Sequence, residues 1–194
     1  IIYHPFFEMI SKFNIEDINT RLFNYLDIEK ILSSKDLIKQ INSKNTINYK
    51  SKKYSRSLFD DLNVDFTMAY GRLVYSNNFL ISNNLFNCEG DINLLEEYPI
   101  LIFDCEVKLN DKKKLLKKFS IKYKTKHEPF TFSIKGNLNI LNNKINIKNI
   151  QAENNYKASR EDLNYFKDTF ETILFDQDFL NIFRLEKIKQ FILE

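Results

Sequence analysis

The chain is poor in the residues from which many active sites are built. Its 194 residues include three Gly, three Pro, two Cys, two His and no Trp. Three glycines leave little material for loops that cradle phosphates. Two His and two Cys, with no HxxxH or CxxC spacing, poorly supply a metal site or a nucleophile–base pair. His4 and His127 lie far apart and read as surface or turn residues. No run of about 18 or more apolar residues exists, so nothing here spans a membrane as a helix. The net charge of +3 and pI near 8.6 are too mild to imply nucleic acid. Carboxylates are scattered: Asp60 and Asp61 before a strand, Glu96 and Glu97 in a turn, Asp104 and Glu106 on a polar strand face. None of them forms a pair with the unlike environments that acid–base catalysis requires. No enzyme activity and no cofactor are expected.

What is abundant is Asn, Ile and Lys, three residues with AT-rich codons; about one residue in eight is Asn. Asn accepts left-handed backbone and makes turns where other chains use Gly. Aromatic residues are also frequent, with 18 Phe and 10 Tyr. The length suits one domain, which we divide into a helical segment over 1–45, an antiparallel sheet over 46–158 and a helical pair over 159–194. The first residue is Ile and no signal-peptide pattern opens the chain, so its start reads as a fragment boundary or a processed end, and the chain as a fragment of a longer one.

Hydrophobic periodicity carries the fold class. Phe6, Met9, Ile10 and Phe13 recur at helical spacing, with Asn14, Asp27 and Ser34 as candidate caps, and Ile18, Leu22 and Leu26 follow at four-residue steps. From about residue 46 the period becomes two. Leu62, Val64, Phe66, Met68 and Tyr70 share one strand face. Turns are expected at Gly71-Arg72, Asn77-Asn78 and Asn83-Asn84. Folding the next two strands about Glu96-Glu97 sets Phe86 against Val107, Cys88 against Cys105, Gly90 against Phe103 and Ile92 against Leu101. A one-residue slip would send apolar groups to opposite faces; a two-residue slip would not. Residues 119–150 read as a three-strand meander. It turns near Lys126-His127 and at Asn142-Asn143, with Ile145 opposite Ile140 and Ile147 opposite Leu138. Ser159 and Asp162 resemble a capping box that opens a helix bearing Leu163, Phe166, Phe170, Ile173 and Leu174. After a break near Asp176-Gln177, Leu180, Phe183, Ile188, Phe191 and Ile192 belong to a second helix. The expected fold is α+β: a curved, twisted antiparallel sheet with N-terminal helices and two C-terminal helices.

Three features are candidates for function. Cys88 and Cys105, placed opposite each other, are either a disulfide or two small apolar core side chains. Lys112, Lys113, Lys114, Lys117 and Lys118 head a local excess of lysine, either a phosphate or anionic-lipid contact or a solvated short helix guarding a strand edge. The apolar face formed by Phe119, Ile121, Tyr123, Phe130, Phe132, Ile134, Leu138, Ile140, Ile145 and Ile147 is either an ordinary core or a contact surface for an apolar ligand.

The stretches GDINLLEEYPILIFDCEVKLNDKKKLLKKFSIK, FSIKGNLNILNNKINIKNI and NNYKASREDLNYFKDTFETILFD resemble the C-terminal part of AsmA-like bacterial envelope proteins, of the bridge-like lipid-transfer type. The resemblance covers Asn78 to Glu194 and rests on the order and texture of strand–turn–strand pieces followed by a helical pair. It implies a non-enzymatic segment of a protein anchored in the inner membrane and facing the periplasm. Lipid acyl chains would be shielded on the apolar concave face, in phospholipid transport and outer-membrane biogenesis. Its partners would be lipid or membrane and the rest of its own longer chain, with no nucleic acid. The alternative is a structural or protein-interaction β module with a fully packed core.

Overall fold

The computed structural model describes residues 7–16, 27–52, 57–122, 128–174 and 185–193. Eight strands form one unclosed sheet in sequence order: β1 (Phe7–Ile15), β2 (Ile41–Lys50), β3 (Asp61–Ala69), β4 (Arg72–Ile81), β5 (Asn84–Asn93), β6 (Ile100–Leu109), β7 (Phe130–Asn139) and β8 (Lys144–Ala152). Strands β1 and β2 pair in parallel, and every later pair is antiparallel. Parallel neighbours require a crossover, and this one carries two short helices, α1 (Ile28–Ser33) and α2 (Lys35–Gln40). Helix α3 (Lys112–Lys118) joins β6 to β7. The chain ends in α4 (Arg160–Thr169), a π-helical turn (Phe170–Leu174) and α5 (Leu185–Leu193). The molecule is therefore α+β with a curved, open sheet.

The turn chemistry explains the meander. Tyr70 and Gly71 both have positive φ, as do Ser82 and Asn83, and each pair forms a two-residue hairpin loop. Such loops match the right-handed twist of the strands they join. At Gly71 a Cβ would lie 2.3 Å from the Leu95 side chain, so space and φ both select glycine. Asn84 is fully buried; its amide donates to the carbonyls of Ile81, Ser82 and Asp111, and its Oδ1 accepts from Asp111 N–H at 2.9 Å. Asp111 then caps α3 by accepting from Lys114 N–H. One asparagine thus ties the β4–β5 turn to the start of α3.

Several expectations need correction. Phe7–Ile15 is a strand, not a helix, and Asn14 lies within it rather than capping a helix. The apolar residues there fit both periods, and pairing with β2 decides between them. Helix in the first 45 residues is described only over α1 and α2. Asp27 caps α1 through its carboxylate, whereas Ser34 occupies the cap position of α2 without a side-chain bond. Asn77 and Asn78 are not a turn; they sit inside β4 opposite Cys88 and Asn87. Among the described residues, the meander expected over 119–150 contributes two strands, not three. Its first residues follow α3 rather than forming a strand, and Phe119 is the C-cap of that helix, with its N–H on the carbonyls of Leu116 and Lys117. The β7–β8 loop takes four residues, Ile140 to Asn143, so Ile145 faces Leu138 and Ile147 faces Gly136. Asn139 holds that loop by accepting from the N–H groups of Leu141 and Asn142. The proposed helix positions at Ile18, Leu22 and Leu26, the turn at Lys126-His127, the break at Asp176-Gln177, and Phe6, Leu180 and Phe183 lie outside the described residues.

Candidate functional site: an apolar sheet face

The register places one apolar face across all eight strands. Ile47, Val64 and Asn77 follow one another across β2, β3 and β4, and Cys88, Cys105 and Ile134 continue the row across β5, β6 and β7. The neighbouring row runs Asn45, Phe66, Tyr75, Gly90, Phe103 and Gly136. Strand pleating alone accounts for this: residues two apart share a face. In β8 the parity would fail, because Ile147 and Ile150 are three apart. A bulge between Lys135 and Gly136 on one side and Lys148 on the other restores it, so that Ile150 faces Ile134.

The C-terminal helices cover only part of this face. Leu138, Ile145 and Ile147 are buried with Ile173 and Leu174. Leu101, Phe103, Ile134, Ile140 and Ile150 pack around them from below, and Leu163, Phe166, Phe170, Ile188 and Phe191 from above. Each fully buried Leu or Ile here contributes about 1.5–3 kcal/mol. A capping box fixes the start of α4: Ser159 Oγ accepts from Asp162 N–H, and Asp162 accepts from Ser159 N–H. Hydrogen bonds donated to its carboxylate by Ser159 N–H, Ser159 Oγ–H and the Tyr156 hydroxyl hold the Asp162 carboxyl below its ordinary range. Glu171 accepts from Ile145 N–H at 3.1 Å and pairs with Lys144 at 2.8 Å, pinning the π-helical turn to β8.

The ten residues read from the sequence as one contact face therefore separate. Leu138, Ile145 and Ile147 are sealed beneath the helices, with Ile134 and Ile140 packed around them. Phe130 and Phe132 sit on β7, partly buried and 5.8 Å apart between ring centroids. Phe119 is buried beside α3 and Ile121 half-buried, and neither lies on the sheet. Tyr123 lies outside the described residues. Missing from that face was its extension through β3, β4 and β5. There Leu62, Val64, Phe66, Met68, Leu73 and Tyr75 are only partly buried. Their period-two pattern is plain in the sequence; what it did not reveal was the continuous strand order that joins them to β7 and β8. Burial, followed by the nearby Asp91 charge, pushes the Tyr75 phenol up to about 12.

Cys88 and Cys105 face each other with Cα atoms 4.1 Å apart and are joined in a disulfide. The lysines on α3 have separate tasks. Lys118 pairs with Asp60 at 2.9 Å, Lys114 with Asp111 at 3.5 Å, and Lys112 lies 4.7 Å above the Phe130 ring. Lys113 and Lys117 are exposed. On the opposite, polar face of the sheet, Asp65, Glu89, Asp91 and Asp104 border an open recess. Asp91 pairs with Arg72 and Asp104 with Lys135, and that contact holds the Lys135 ammonium above its ordinary range. Among the described residues no group of three or more His, Cys, Asp or Glu is arranged to hold a metal ion, and no helix is long and apolar enough to cross a membrane. His4 and His127 lie outside the described residues. Comparison with known proteins finds no matching family model, curated protein or solved structure.

Proposed function

We propose that this chain is a non-enzymatic lipid-handling segment of a cell-envelope protein, whose apolar sheet face replaces water around acyl chains. The single observation that carries this reading is the continuous apolar face, covered by the C-terminal helices around Leu138, Ile145 and Ile147 and only partly buried at Leu62, Val64, Phe66, Met68, Leu73 and Tyr75 on β3 and β4. Shielding an acyl chain requires no bond chemistry, only apolar area withheld from water. The contact surface is accordingly centred on Val64, Phe66, Leu73 and Tyr75 rather than on β7 and β8. The Cys88–Cys105 disulfide supports an oxidising compartment, in keeping with the periplasmic side of the inner membrane. The resemblance to AsmA-like proteins points the same way, toward phospholipid transport and outer-membrane biogenesis.

The sealed half favours a second reading, a structural or interaction module whose sheet is core throughout. Lipid extraction from purified protein, followed by mass spectrometry, separates the two. Under the lipid-handling reading phospholipid co-purifies, and Phe66→Asp removes it while the protein stays folded. Protein that emerges free of lipid and takes none from phospholipid vesicles refutes lipid handling.

A further inference from the structure

The two edges of the sheet are treated differently. The β8 edge is closed by the chain itself. Ile145 N–H donates to Glu171, Gln151 bridges Lys157, Ala152 N–H reaches the Tyr156 carbonyl at 2.9 Å, and Ala158 N–H reaches the Ile150 carbonyl at 2.9 Å. Strand β1 has β2 on one side and, among the described residues, nothing on the other. Edge strands are ordinarily short, charged or interrupted by Pro. This one is nine residues long and exposed almost throughout. It shows Phe7 at 62% and Phe13 at 52% exposure on one face and Ile10 at 87% on the other. Its only charges are Glu8 and Lys12.

We propose that β1 is a dimerisation edge. It pairs antiparallel with β1 of a second copy about a twofold axis through Ile10, normal to the sheet. Such an axis keeps the same face upward in both copies, so only registers that preserve strand parity are allowed. Centring on Ile10 sets Glu8 opposite the partner's Lys12, and Lys12 opposite the partner's Glu8. It also sets Phe7 opposite the partner's Phe13 and Ile10 opposite its own counterpart. The neighbouring registers lose this match. A shift one way leaves Glu8 opposite Ile10. A shift the other way sets Lys12 opposite Ile10, and a further step sets the two lysines against each other. The strand is thus self-complementary in charge and in apolar contact in one register only. Because the β8 edge is closed, the pairing ends at two copies and does not grow into a fibre.

Sedimentation velocity on the full chain over a concentration series tests this. A monomer–dimer equilibrium is expected, with amides of 7–15 gaining protection from hydrogen exchange as the dimer fills. Opposite charges facing across a strand pair attract and like charges repel. Glu8→Lys and Lys12→Glu are therefore each expected to weaken dimerisation about tenfold, and the double reversal to restore it. Both side chains are exposed, and circular dichroism verifies that each variant is folded. A monomer at every concentration overturns the proposal. So does a dimer indifferent to the single reversals, or one that the double reversal fails to restore.

Discussion

Truncating Leu138 to Ala tests whether the C-terminal helices are a true core layer or a loose cover. Leu138 is 4% exposed and lies beneath Ile173 and Leu174, with Ile145 opposite it on β8. The floor of any cavity would be the β7–β8 ladder, and its roof the π-helical turn held to β8 by Glu171. Neither can collapse freely, so the lost transfer energy and the cavity both count. The expected cost is about 3–4 kcal/mol, read as a lower midpoint in equilibrium urea unfolding at unchanged slope. For a chain of this size that corresponds to a fall of roughly 10 °C in melting temperature. Ile173→Ala in the same background should be non-additive, with a coupling of about 0.5–3 kcal/mol, because the two side chains share one cluster. Phe66→Ala is the control: on the partly buried β3 it should cost less than its size suggests. A Leu138→Ala cost below about 1 kcal/mol, additive with Ile173→Ala, would refute this packing. The face over β6–β8 would then be open, and the lipid surface would extend to the residues first read from the sequence.

Two further perturbations bear on the same layers. Asp162 has a carboxyl held below its ordinary range by Ser159 and Tyr156. Its contribution is therefore present above the unfolded pKa and lost as pH falls through the lowered folded value. Asp162→Asn should flatten the acid limb of the stability–pH profile, and an unchanged limb would count against the capping box. The Cys88–Cys105 bridge closes a sequence separation of 17 residues, for which loop entropy gives about 3 kcal/mol. Reduction should lower the melting temperature of the wild type and leave a Cys88→Ala, Cys105→Ala variant unmoved; equal responses would mean that the bridge does not form in solution.

The β5–β6 register was legible in the sequence because Phe86, Cys88, Val107 and Cys105 alternate cleanly and a slip of one exposes all of them. The capping box was legible because Ser159 and Asp162 act locally. Strand β1 was not. Met9, Ile10 and Phe13 satisfy a helical stripe, and only a nonlocal parallel partner selects extended backbone. The segment before β7 failed for the opposite reason. Phe119 and Ile121 alternate like a strand, but Asp111 nucleates a lysine-rich helix just ahead of them and its C-cap falls on Phe119. The covering of Leu138, Ile145 and Ile147 was not legible, because periodicity tells which residues share a side but not what lies above it. Leu163, Phe166, Ile173 and Leu174 were visible as a stripe, yet their seat on β6–β8 depends on how the chain returns after β8.

The apolar face changes character from one edge of the sheet to the other, and this limits what it can hold. Around Leu138, Ile145 and Ile147 on β7 and β8 it is aliphatic and covered by the C-terminal helices. Over β3 to β5 it is largely aromatic and aliphatic. Midway along β2, ahead of Ile47 and Tyr49, it becomes polar: Asn45, 2% exposed, accepts from Ser11 Oγ at 2.6 Å and donates to Ser43 Oγ at 2.9 Å. Because these groups satisfy one another, an apolar neighbour leaves none of them unpaired. They nevertheless offer that neighbour no gain in apolar burial. The surface suited to acyl chains is bounded by the helix layer on one side and the Ser11–Asn45–Ser43 group on the other. Three strands at about 4.8 Å spacing make it roughly 14 Å wide. A strip of that width accommodates lipid tails lying along the strands, not a patch of bilayer, so the proposed role is shielding individual lipids rather than docking on a membrane.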